Sequence, residues 1–138
     1  MKRILAAALS MSSLILTPSA IAQAPVNPQP QVQQVQVIRE DLIVVAARAL
    51  EDRKYKLGLR VANNVTELFP GYATGYLYRA IALFRLGEVQ AAKLDFDRAK
   101  RLYSERLKSA NLSADQKNEA QLGLEAIELH LKLLKAKL

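Results

Sequence analysis

Residues 76–99, YLYRAIALFRLGEVQAAKLDFDRA, decide what kind of fold this chain can form. Tyr76, Ala80, Leu83 and Phe84 recur at helical spacing, and so do Val89, Ala92, Phe96, Ala99 and Leu102. Strict apolar–polar alternation is absent, so strands fit poorly. Between the halves lie Leu86, Gly87 and Glu88. Gly87 can end a helix in the left-handed conformation without a Cβ clash. Glu88 then falls where the positive end of the next helix dipole favours an anion. The expected object is a helix–turn–helix hairpin, with Ala80, Ala92 and Ala99 leaving room for Tyr76, Leu83 and Phe96 where the helices cross.

The pattern recurs 34 positions earlier. Leu42 stands for Tyr76, Ala46 for Ala80, Ala49 for Leu83 and Tyr55 for Val89. Gly58 stands for Ala92, Ala62 for Phe96, Val65 for Ala99 and Leu68 for Leu102. Small residues fall on small ones at two of these positions and apolar on apolar elsewhere, as in stacked repeats.

With these residues the chain resembles the tetratricopeptide repeat family, whose helix–turn–helix unit carries W-x2-L-G-x2-Y, then A-x3-F, then P. The second copy supplies Tyr76, Ala80 and Leu83, then Ala92 and Phe96. The first supplies Leu42, Ala46 and Ala49, then Gly58 and Ala62, with Pro70 at the closing position. The copies cover residues 39–72 and 73–106. The chain departs from the pattern in having no Trp, in Arg79 where Leu is usual, and in Ser104 where the second closing Pro would stand. Without that Pro, the last repeat helix is free to continue past Ser104.

The N-terminus has the form of an export signal. Lys2 and Arg3 precede an apolar run from Ile4 to Leu16, and Ala20-Ile21-Ala22 offers a small-x-small cleavage site. Cutting after Ala22 assigns residues 1–22 to a signal peptide and the chain to the periplasm or another extracytoplasmic lumen. An uncleaved membrane anchor is the rival, although the run is short for a spanning helix. Cleavage lowers the formal net charge from +7 to about +5. Residues 23–38, QAPVNPQPQVQQVQVI, carry prolines and glutamines that cannot build a core and read as a linker. From Gln31 onward, Val32 and Val35 could instead extend the first repeat helix, starting at about Gln33.

Beyond the repeats, Ser113 with Gln116 three residues on forms a capping box. It opens a helix expected over 113–137, in which Ala120, Leu124, Ile127, Leu131, Leu134 and Leu138 make one apolar line. Leu122, Ala126, Leu129 and Leu133 widen it. A helix array needs a terminal element to bury its last open face; a coiled-coil dimer seam has the same spacing. Gly123 inside this helix costs about 1 kcal/mol relative to Ala, which a close helix crossing would explain. The expected fold is all-α: a short α-solenoid of two tetratricopeptide-like repeats plus a long C-terminal capping helix, together spanning 39–138.

Catalytic chemistry finds no foothold in these residues. There is no Cys, His130 is the single histidine, and no phosphate loop, dinucleotide fingerprint or nucleophile elbow occurs. No enzyme activity, cofactor or metal is expected. Asn64 and Asn111 each begin a glycosylation triplet. Lys93, Arg98, Lys100, Arg101, Arg106 and Lys108 make a local basic excess, read as a solvated face or as an attachment to an anionic surface. Nucleic acid is not expected, because exposed aromatics do not interleave with these cations.

The family resemblance implies a concave surface lined by the first helix of each hairpin, which binds peptides. By position this groove comprises Glu40, Ile43, Ala47, Leu50 and Glu51, then Thr74, Leu77, Ile81, Phe84 and Arg85. The family's carboxylate-clamp members carry Lys and Asn mid-surface. Here Ile43, Ala47, Leu77 and Ile81 stand there, which suits an apolar helix or extended segment. The expected function is a non-catalytic protein–protein interaction module taking a protein or peptide ligand. The alternative is a homodimer through Leu124, Ile127, Leu131 and Leu134. Either way, no membrane span is expected after cleavage.

Overall fold

The computed structural model describes residues 29–137, and among them all regular secondary structure is helical. The helices are α1 (Gln29–Glu51), α2 (Tyr55–Leu68), α3 (Ala73–Arg85), α4 (Val89–Leu107) and α5 (Ala114–Lys135). The expected export signal, and the linker through residue 28, lie outside the described residues. Residues 29–38 belong to α1 rather than to a linker. Pro30 sits in its first turn, where a missing N–H leaves no intrahelical bond unmade.

The turns follow from local chemistry. Phe69, Pro70 and Gly71 close α2, with the Phe69 N–H donating to Val65 O. Gly87 adopts φ of 87° and ends α3. No proline follows Ser104, and α4 runs on to Leu107. At the start of α5, the Gln116 N–H donates to Ser113 Oγ and the Ser113 N–H donates to Gln116 Oε1, so both halves of the capping box form.

Each helix packs on the next along the chain. In addition α1 meets α3 and α3 meets α5, while α2 and α4 make no such contact. The odd-numbered helices therefore form a tighter inner row and α2 and α4 an outer one, a solenoid-like arrangement. Four of the eight equivalent pairs are buried in both hairpins, whereas Leu68, the counterpart of the half-buried Leu102, is exposed. Ala46 and Ala80, Gly58 and Ala92, Ala62 and Phe96, and Val65 and Ala99 are all buried. The core is richest between α3, α4 and α5, where Tyr76, Phe96, Tyr103, Ile127 and Leu134 meet.

The Tyr103 hydroxyl shares a 2.9 Å hydrogen bond with Thr74 Oγ1, which also donates to Glu119 of α5. Burial pushes the Tyr103 hydroxyl well above the ordinary tyrosine range, so it stays protonated. Gly123 lies directly over this ring. A Cβ there would stand 2.5 Å from Tyr103 Cε2 and Cζ, so α4 and α5 cross too closely for any side chain. Gly123→Ala gains about 1 kcal/mol of helix propensity. It loses about 2–3 kcal/mol by displacing a buried, hydrogen-bonded ring. The expected net destabilisation of about 1–2 kcal/mol is readable as a lower urea midpoint; a raised one would mean no close crossing.

Arg79 is fully engaged. Its Nε and Nη2 donate to the Asp95 carboxylate at 2.6 and 2.8 Å, and Nη1 donates to Thr66 Oγ1 at 2.9 Å. The guanidinium lies 5.3 Å from the Tyr76 ring centroid. The Asp95 carboxylate raises the Arg79 pKa further above its ordinary value. One side chain thus ties α2, α3 and α4 together.

Candidate functional site

Ile43, Ala47 and Leu50 on α1 and Ile81 on α3 are half-buried, and Arg85 is exposed. Leu50, Glu51, Arg53, Tyr55, Ile81 and Arg85 line one cleft of about 560 Å³. It joins the end of the first hairpin's leading helix to that of the second. Leu50 and Ile81 are its apolar members, and Glu51, Arg53 and Arg85 bring charges of both signs, so polar surface predominates in it.

The groove expected from the sequence is only partly open. Leu77 and Phe84 retain 7% and 6% of their exposure and belong to the core. For Phe84 the reason is α5, which lies against α3. His130 meets Phe84 edge-on at 6.3 Å, and Lys137 Nζ sits 4.5 Å from the Phe84 ring centroid. Thr74 is likewise buried and bonded to Tyr103 and Glu119. The open lining contracts to Ile43, Ala47, Leu50, Ile81 and Arg85, with Glu40 and Glu51 exposed beside it. Sequence position marks the first-helix face, but not which neighbour covers it.

His130 is a packing residue. Its Nδ1–H donates to Ala126 O at 2.8 Å, and its ring stacks on Phe96 at 5.3 Å. Among the described residues, no cluster of His, Cys, Asp and Glu could hold a metal ion. The basic residues of α4 are largely engaged. Lys93 pairs with Asp97, Lys100 with Glu128, Arg101 with Glu105 and Arg106 with Glu119. Arg98 stacks on the Tyr76 ring at 4.7 Å. Among the described residues, no helix is long and apolar enough to cross a membrane.

Other clefts open elsewhere, among them one of about 550 Å³ lined by Phe69, Gly71, Leu102 and Glu105. Arg39 lies over the Tyr72 ring at 4.2 Å, and a space of about 410 Å³ there is lined by Arg39, Glu40, Arg106, Asp115 and Glu119. Its charges are mixed, so it favours neither cation nor anion. On the outer row, a cleft of about 350 Å³ is lined by Leu59, Asn63, Leu83, Ala91 and Leu94, the last 70% exposed. The long apolar patches are elsewhere: Val32, Val35, Val37, Ile38, Val44 and Val45 on α1, and Leu122, Leu129 and Leu133 on α5. Reading both leucine lines of α5 as one broad stripe hides this second set.

No family model, no curated protein and no solved structure matches the chain.

Proposed function

We propose that the chain is an exported interaction module of tetratricopeptide type, binding a protein segment in the cleft between α1 and α3. The observation that carries this reading is the half-open apolar line Ile43, Ala47, Leu50 and Ile81 on the inner row of helices. The repeat reading draws support from four equivalent pairs being buried in both hairpins; export rests on residues 1–22 alone. Binding takes place without catalysis. An amphipathic helix laying its apolar stripe along this line fits its chemistry, with Glu51, Arg53 and Arg85 of the adjoining polar cleft setting direction through charge.

Ala47 is the residue at which to test it, because a long charged side chain there interrupts the apolar line without emptying the core. Leu77 would be a poor choice, since an acid at a buried position unfolds the hairpin. Ala47→Arg is expected to weaken capture of the native partner at least about 100-fold, as loss of a central contact does, with unchanged helical circular dichroism. Full capture by this variant would place the binding surface elsewhere.

A further inference from the structure

We infer that the chain self-associates as a two-fold dimer through the outward face of α5, with the two α5 helices antiparallel. The seam first suggested by the sequence is occupied within the chain: Ile127 and Leu134 are fully buried, and Leu124 and Leu131 pack on the same core. A second line remains uncovered. Leu122, Leu129 and Leu133 are 56%, 58% and 48% exposed, and Ala126 lies half-buried among them. With Ala136 these residues are spaced four, three, four and three apart, the period of a knobs-into-holes seam. The line runs on the side of α5 next to Glu119 and Lys137, which reach Thr74 and Phe84 of α3. It is where the next helix of a longer stack would rest.

The flanking charges choose the occupant and its direction. Glu125 and Lys132 lie on the outer flank of this line one heptad apart, and among the described residues neither forms an ion pair within the chain. An antiparallel pairing sets Leu122 against Leu133 of the partner subunit and Ala126 against Leu129 of the partner subunit. It then brings Glu125 beside Lys132 of the partner subunit, twice by symmetry. A parallel, in-register pairing would instead set Lys132 beside Lys137 of the partner subunit, a like-charge contact. Opposite charges at such flanks select orientation and partner. A second copy of this chain, run antiparallel, satisfies both the apolar line and its flank.

The test is sedimentation equilibrium on the chain as recovered after export, with circular dichroism to confirm that each variant is folded. The wild type is expected to be a dimer at micromolar concentration. Leu129→Glu should give a folded monomer. Glu125→Lys and Lys132→Glu should each weaken the dimer about tenfold, and the double reversal should restore it. Four results would overturn the inference: a wild-type monomer, a dimer indifferent to Leu129→Glu, a dimer tightened by Lys132→Glu, as a parallel seam requires, or open-ended oligomers abolished by Val44→Glu, as head-to-tail stacking onto α1 requires.

Discussion

Phe96→Ala lowers the free energy of unfolding by about 3–5 kcal/mol, the range for deleting a fully buried aromatic ring. Phe96 has no exposed surface, belongs to the main core cluster, and carries the stacked His130 ring of α5. The cavity left behind is bounded by three helices, so no one of them can move in to fill it. The same position in the first hairpin is Ala62, also fully buried, so the two hairpins fill this equivalent core position with very different bulk. Against a domain stability of about 5–15 kcal/mol, the loss brings the variant close to unfolding. Urea denaturation measures it. A cost below about 1 kcal/mol would mean that α5 does not rest on the second hairpin as described.

Asp95→Ala is expected to cost about 2–3 kcal/mol, less than the 3–5 typical of fully buried pairs, because Arg79 keeps some contact with water. Asp95 and Arg79 side chains are 9% and 23% exposed. Removing the carboxylate leaves the guanidinium held by Thr66 and Asn63 alone, between three packed helices. The double variant Arg79→Leu with Asp95→Ala should recover most of the loss, since it removes the stranded charge and puts an apolar residue in its place. If the double variant is less stable than Asp95→Ala, the pair contributes more than charge balance.

The local features of this fold are legible in the sequence. Gly87, the Phe69-Pro70-Gly71 stop, the Ser113–Gln116 box and the missing second proline each act within a few residues of themselves, and each sets a helix end where expected. The close crossing at Gly123 is also legible, since an otherwise costly glycine needs a neighbour; that the neighbour is Tyr103, on another helix, is not. What escapes the sequence is non-local. Asp95 stands on a different helix from Arg79, and neither residue announces the other. Leu77 and Phe84 carry the periodicity of groove residues, yet both are buried in the core, Phe84 beneath α5. In α5 the helical period marks a broad apolar stripe without saying that the Ile127 and Leu134 half faces inward and the Leu122 and Leu129 half outward. The candidate site is therefore legible as a face of two helices, and its open portion is set by a packing decision made far along the chain.

Site-directed photo-crosslinking in the chain's own compartment reads out which face of the helix array meets the partner. A photoreactive residue is placed at Ala47, at Ile81 and at Leu94, the last an exposed apolar position on the outer row of helices. The inner cleft as binding surface predicts one shared adduct from Ala47 and Ile81 and none from Leu94. Adducts from Leu94 alone, or the same adduct from all three positions, would contradict it.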